Sequence, residues 1–175
     1  MEEGDIGILR DTGSTVVTNP ASNAKLGNGF APAAAFLKEG VNLCLGTDGT
    51  ASNNTLNMFR EMGLMSLIHK AVSEDPTALS AQQVLEAVTV NAAKALGMED
   101  RLGILKEGAG ADLIFIDLTR PNMFPDNDIV SSLVYSANGS EVSDVMIGGA
   151  FVMENRILTT IDLEKVYDDS RSWER

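Results

Sequence analysis

Histidine and cysteine are almost missing from this chain: its 175 residues include one of each, His69 and Cys44. A single cysteine excludes an internal disulfide and suits a reducing cytoplasm, where the chain is expected to reside. Cys44 stands between Leu43 and Leu45 in an apolar run, so a buried, inert thiol is the expected state rather than a nucleophile. Basic residues are scarce as well. Thirteen Lys and Arg against 25 Asp and Glu give a net charge of −12 with no basic cluster, a surface that repels nucleic acid. The opening residues, Met1, Glu2, Glu3, Gly4 and Asp5, are the opposite of a signal peptide's basic start and apolar core. No apolar run approaches the length of a membrane span. What remains is a chain of ordinary hydrophobic content, 44%, long enough for one substantial core or for a larger lobe and a smaller one.

The stretch with the clearest chemical content is residues 41–54, Val-Asn-Leu-Cys-Leu-Gly-Thr-Asp-Gly-Thr-Ala-Ser-Asn-Asn. Its apolar part is too short for a helix and suits a buried strand over 41–47. The run stops at Gly46, and Asp48 follows in a polar loop. Asn53 and Asn54 are good N-caps for an apolar-rich helix over residues 55–73. Asp48 therefore stands where a buried strand ends and a crossover helix begins. In parallel α/β folds, ligand-binding and catalytic groups collect at that place. Turn capping by Asp48 accounts for the loop alone equally well.

Upstream, residues 4–12 are expected to end a helix at Gly13, and the β-branched Thr15, Val16 and Val17 favour a strand. Residues 18–23 break it, because Pro20 removes a ladder donor and Asn and Ser favour turns. That loop is expected to continue through Lys25, Gly27 and Gly29. Pro32 opens a short helix over 33–38, which Gly40 ends. Strand, loop, helix and strand in this order make a βαβ unit with parallel strands. In the 55–73 helix, Leu56, Phe59, Gly63 and Leu67 share one face, with Met58, Met62 and Met65 alongside as core filler. His69 reads as a surface or helix-end residue favoured by the C-terminal dipole, rather than a ligand. After Pro76, Ser80 and Gln83 form a capping box, and Leu79 and Val84 a hydrophobic staple. Leu85, Val88, Ala92 and Leu96 then line one face of a helix that Gly97 stops.

Beyond Arg101 the texture changes. A strand is expected over 111–117, then a helix over 128–137 with Ile129, Leu133 and Val134 inward. Strands over 142–147 and 150–153 flank a Gly148-Gly149 hairpin, and Asn155-Arg156 turns before Ile157 and Leu158. The glycines at 108 and 110 precede a strand instead of following one, the wrong order for a dinucleotide fingerprint. The fold class is α/β. Residues 1–97 form an α/β portion, 98–160 a set of small strands, and 161–175 a terminal helix or tail.

Two motifs carry a wider resemblance: Asn19-Pro20-Ala21-Ser22-Asn23-Ala24-Lys25-Leu26-Gly27-Asn28-Gly29 and Leu45-Gly46-Thr47-Asp48-Gly49-Thr50-Ala51-Ser52-Asn53-Asn54. With Asn91-Ala92-Ala93-Lys94-Ala95-Leu96-Gly97, Gly110-Ala111-Asp112-Leu113 and Gly148-Gly149, they follow the order and spacing of the amidohydrolase superfamily. The chain resembles the C-terminal part of its chlorohydrolase and deaminase branch, which includes the 5-methylthioadenosine/S-adenosylhomocysteine deaminases. The resemblance implies a metal-dependent (β/α)8 barrel, of which residues 1–97 supply the last two strands and helices. Residues 98–160 then supply the C-terminal strands of a small β-sandwich. It implies hydrolytic deamination of a cyclic amidine, adenosine-type or another purine or pyrimidine, by attack of metal-bound hydroxide. Asp48 is then both metal ligand and proton shuttle, and Asn19, Ser22, Asn23, Lys25, Ser52 and Asn53 line the substrate side. Turn formation and helix capping are equally open roles for each of those six residues. The metal is one divalent ion, zinc first, with iron, manganese or nickel as alternatives.

The same resemblance implies a His-x-His pair after the first barrel strand and further histidines after the fifth and sixth. The sequence has none of them. One carboxylate does not hold a catalytic metal tightly, so this chain alone is expected to bind none and to be inactive. It is then a C-terminal piece of a larger enzyme, a split half or a truncated product. Two barrel strands without neighbours leave open edges and bare apolar faces, so a missing N-terminal half or self-association is the expected partner, besides a small-molecule substrate. The alternative is a catalytically inactive barrel fragment that acts only in assembly. Among enzymes, a chlorohydrolase, a guanine deaminase and a cytosine deaminase stay open.

Overall fold

The computed structural model describes residues 3–173, so the last two residues of the expected tail lie outside the described residues. Helix α1 (Glu3–Asp11) leads through the left-handed Gly13 into β1 (Thr15–Thr18), as the sequence predicts. Next come α2 (Pro20–Leu26), α3 (Ala33–Lys38) and β2 (Asn42–Leu45). β1 and β2 pair in parallel, Thr15 opposite Asn42 and Thr18 opposite Leu45, and β2 is shorter than the strand expected over 41–47. The loop expected after β1 is instead a helix. Pro20 lies in the first turn of α2, where its missing N–H costs nothing, and Gly27 closes the helix at φ 69°. The residues read as breakers are its start and stop.

The helix expected over residues 55–73 starts only at Met58, as α5 (Met58–Ser73), and a separate short helix, α4 (Thr50–Asn53), precedes it. Asn53 ends α4 and Asn54 follows at φ 78°, so neither caps α5. Asn57 does, its side chain accepting the Arg60 N–H at 3.1 Å. The buried face of α5 also differs from the apolar stripe. Glu61, Met62, Met65 and Ser66 are buried, whereas Leu67 is 57% exposed and Leu56 lies outside the helix. Core filling holds for Met62 and Met65. The shift follows from two buried polar side chains with internal partners; Ser66 Oγ, for one, is 2.8 Å from both Leu79 O and the Tyr135 hydroxyl. His69 is half-buried rather than a surface residue, and burial lowers its pKa, the opposite of a dipole-favoured cation.

Helix α6 (Ala81–Val88) carries the predicted capping box, and Leu79 and Val84 of the staple are both buried. The helix then breaks at Thr89 (φ −121°, ψ −92°), and α7 (Val90–Ala95) follows. The buried positions are consequently Val84, Ala87 and Ala93, and Leu96 is left exposed. Asn91 docks α7 onto β2. Its side chain donates to Leu43 O and its carbonyl accepts from the Asn42 side chain, both at 3.0 Å.

The remaining strands, β3 (Leu113–Ile116), β4 (Val142–Ile147), β5 (Ala150–Glu154) and β6 (Ile157–Leu158), form an antiparallel sheet in that order. Gly148 and Gly149, then Asn155 and Arg156, have positive φ and make the two predicted hairpin turns. Helix α8 (Ile129–Tyr135) buries Val134 but leaves Ile129 exposed, against the inward placement expected of Ile129. Helix α9 (Leu163–Ser172) ends the described chain. Cys44 is buried, as predicted, and burial pushes its thiol pKa up.

Phe36, Leu43, Met65, Val84 and Val134 meet in one core, drawn from α3, β2, α5, α6 and α8. Full burial of each such side chain contributes about 1.5–3 kcal/mol. That core fixes the carboxyl ends of β1 and β2.

Candidate functional site

Parallel pairing puts the segments that follow β1 and β2 at the same end of the sheet. The ladder is prolonged by Gly46 N–H donating to Thr18 O at 2.9 Å. A Cβ at Gly46 would sit 2.6 Å from Asn19 Oδ1 and 3.1 Å from Val17 Cγ1, so a larger residue there would have to displace the Asn19 side chain. Two residues on, Asp48 adopts φ 60°. The left-handed region is uncommon for a residue with a side chain, and Asp tolerates it better than most.

The Asp48 carboxylate is held from several directions. Ser22 Oγ donates to Oδ2 at 2.6 Å, Ser52 Oγ to the same Oδ2 at 2.7 Å, and Gly49 N–H to Oδ1 at 2.8 Å. Bonds from Ser22, then Ser52 and Gly49, hold its pKa below the ordinary carboxylate value, since each favours the charged form. Asp48 is exposed while Ser22 is buried, so the carboxylate lies at a surface with its support beneath it.

The other expected site residues fall into two groups. Asn53 is buried under the loop, donating from Nδ2 to Thr47 O at 2.6 Å and to Glu61 Oε1 at 2.8 Å. Lys25 Nζ binds Ala51 O at 3.0 Å and Asn54 Oδ1 at 2.7 Å, which clamps the end of α4 to α2. These two act as struts. Asn19 sits at the N-cap of α2 without a side-chain capping bond, its Oδ1 against Gly46. Asn23 is half-buried on α2 and is linked there through its backbone, to Asn19 O at 2.9 Å and from Asn28 N at 3.0 Å. Glu61 is the member that sequence reasoning missed. It is fully buried, accepting Ala21 N–H on Oε2 at 2.9 Å and Asn53 on Oε1. Between Arg60 and Met62 nothing in the sequence distinguishes it from a solvated helix glutamate.

Comparison with known proteins gives a consistent picture. The profile of the Amidohydrolase family matches residues 1–152. The chain is 54% identical over 166 residues to a 5-methylthioadenosine/S-adenosylhomocysteine deaminase of Acetivibrio thermocellus, covering 95% of this chain and 38% of that protein. It is 46% identical to a 5'-deoxyadenosine deaminase of Methanosarcina mazei, covering 98% of this chain and 39% of that one. Among solved structures it superposes on an adenosine deaminase from Xanthomonas campestris with bound zinc, with a TM-score of 0.96 and 40% identity, over 99% of this chain and 40% of the other. A zinc-complexed atrazine chlorohydrolase from Arthrobacter aurescens follows at TM-score 0.91 and 27% identity, over 98% and 38%. The chain thus spans about two fifths of the length of the proteins it matches.

Zinc in those two structures makes the donor set here decisive. A catalytic zinc takes about three protein donors and a water. Among the described residues no three His, Cys, Asp or Glu side chains gather in one place. Asp48 has the right chemistry for one donor, and these residues by themselves do not fit the ion.

Proposed function

The chain belongs to the amidohydrolase family, and on that premise we propose that it is the C-terminal portion of a hydrolase that deaminates an adenosine-type cyclic amidine. The observation that carries this reading is the Asp48 carboxylate, set at the carboxyl ends of two parallel strands and gripped on Oδ2 by Ser22 and Ser52. The deaminase names of the two relatives described above support the reaction class. In hydrolytic deamination water adds to the ring carbon, loses a proton, and the amine leaves as ammonia after gaining one. A carboxylate kept ionised near neutral pH accepts that proton and returns it to the leaving amine. With both serines donating, Oδ2 has its lone pairs filled, whereas Oδ1 accepts only the Gly49 N–H. Oδ1 is therefore the oxygen left open toward the reacting groups. Asp48 is also one donor to the divalent metal of the complete enzyme, the remaining donors coming from polypeptide beyond the described residues. Asn19 and Asn23, which are not struts, are the side chains left to meet substrate.

The test pairs this chain with the part of the Acetivibrio thermocellus relative that it does not match, and follows ammonia release from 5'-methylthioadenosine. Activity that falls about hundredfold or more in Asp48→Asn supports the reading. Undiminished activity in that variant rejects it.

A second reading, an assembly unit without chemistry, draws on the bare apolar surface. Val17, Ile114 and Phe115 are 53%, 51% and 44% exposed. An apolar groove of about 500 Å³ opens between Met58, Met62, Leu85, Ile104 and Ile114. Either a complementing polypeptide or a second copy covers these faces. Sedimentation that finds a stable monomer at high concentration refutes self-association.

A further inference from the structure

Glu61 is fully buried and takes no part in the proposed chemistry. A carboxyl group inside a core is costly unless its oxygens are satisfied, and here each accepts one N–H, from Ala21 and from Asn53. The Asn53 amide also reaches Thr47 O. Through these bonds one side chain joins the first turn of α2, after β1, to the loop that follows β2. The sequence positions of the ties give them meaning. Ala21 precedes Ser22, Thr47 precedes Asp48, and Asn53 follows Ser52. Every tie falls one residue from a member of the Ser22–Asp48–Ser52 cluster.

We propose that Glu61 is a positioning residue: by bonding Ala21 and Asn53 together it fixes the separation of α2 from the Asp48 loop, and so holds both serine hydroxyls on Asp48 Oδ2. Glu61 itself touches neither substrate nor the reacting atoms. Its two acceptors cannot be replaced by an amide. In Glu61→Gln one end of the group becomes an N–H donor and faces either the Ala21 N–H or the Asn53 amide hydrogens. One tie is lost in either orientation, and the loops part.

This role rests on Asp48 being the functional carboxylate, but it can fail on its own. The experiment is NMR on the whole 175-residue chain. The reporter is the Gly49 amide proton, which donates to Asp48 Oδ1 and makes no bond with Glu61. In Glu61→Gln its resonance is expected to lose the downfield position of a carboxylate-bonded amide. Exchange at the Ala21 backbone N–H and at the Asn53 side-chain amide, the two groups that donate to Glu61, is expected to quicken about tenfold or more, while Leu43 and Cys44 amides in β2 keep their rates. Equal quickening in β2 overturns the proposal, because Glu61 then only stabilises the fold. So does an unmoved Gly49 resonance. If Glu61→Gln does not fold, Asn53→Ala decides: it cuts the tie to the loop and leaves the Glu61–Ala21 bond. Gly49 must then shift while Ala21 stays protected, and any other pattern overturns the proposal. An active Asp48→Asn hybrid enzyme rejects the catalytic reading without altering these spectra.

Discussion

Gly103 offers a quantitative test of how tightly the loop after α7 closes on the helical layer. Its φ is +75°, and a Cβ there would lie 2.6 Å from Thr89 O, 2.7 Å from Thr89 C and 3.0 Å from Val90 N. All three are backbone atoms at the break between α6 and α7, and backbone cannot swing aside as a flexible side chain can. Gly97 is the matched control, with φ +66° and nothing within 4 Å of a Cβ. Gly97→Ala meets only the left-handed penalty, about 1–2 kcal/mol. Gly103→Ala meets that penalty plus overpacking of about 1–3 kcal/mol, for a sum of about 2–5 kcal/mol. Urea unfolding followed by circular dichroism separates the two. With an m-value of about 2 kcal/mol/M, the Gly103→Ala midpoint should lie below that of Gly97→Ala by about 0.5–1.5 M. Coincident midpoints at equal m-values would show that the Thr89 backbone yields freely, and would refute the close approach as the reason for glycine at 103.

Two further outcomes are expected. Burial lowers the pKa of His69 from its ordinary 6.5, so the folded chain binds fewer protons there than the unfolded one. Its contribution to stability is complete above about pH 6.5 and declines as pH falls through the lower folded value. As the chain's one histidine, it gives a single ring titration by proton NMR, and a native midpoint at or above 6.5 contradicts the burial argument. Ser80 accepts the Gln83 N–H while Gln83 reaches back to the Ser80 N–H. Ser80→Ala should cost about 1 kcal/mol, and Ser80→Gly only a few tenths. No loss in Ser80→Ala by thermal or denaturant melting would mean that the side-chain cap contributes nothing.

Which features could be read from the sequence follows from how local their causes are. The capping box at Ser80 and Gln83, the stop at Gly97 and the Gly148-Gly149 hairpin depend on a few adjacent residues, and all form. The parallel β1–β2 pair needed only two apolar runs and a short helix between them. Helix α2 was lost to a choice between meanings: Pro20 after Asn19 ends a strand, but it also begins a helix, and Gly27 was the signal that decides. The faces of α5 and the break at Thr89 were not legible, because tertiary bonds set them. Ser66 is buried by its partners Leu79 and Tyr135, and Asn91 is pulled onto Leu43, contacts of 13, 69 and 48 residues' separation. A hydrophobic period counts apolar residues and has no means of seeing a polar one that is satisfied inside.

The candidate site divides along the same line, and the division bears on assembly. Asp48 could be singled out from its place after a strand, but its orientation depends on Ser22, 26 residues away, and on Glu61, which bonds Ala21 across 40 residues. These supports all come from this chain, whereas among the described residues no three His, Cys, Asp or Glu side chains gather as a catalytic metal would need. On the proposed reading, a complementing polypeptide meets a carboxylate that is already oriented. Among the described residues no buried side-chain nitrogen or oxygen lacks a hydrogen-bond partner, so docking need not reorder the Asp48 loop to satisfy it. The entropy of fixing that loop is already spent in folding, and binding energy from covering Val17, Ile114 and Phe115 can go into association. Loosening Glu61 should therefore weaken assembly as well as chemistry, because the loop would have to be ordered at the moment of docking.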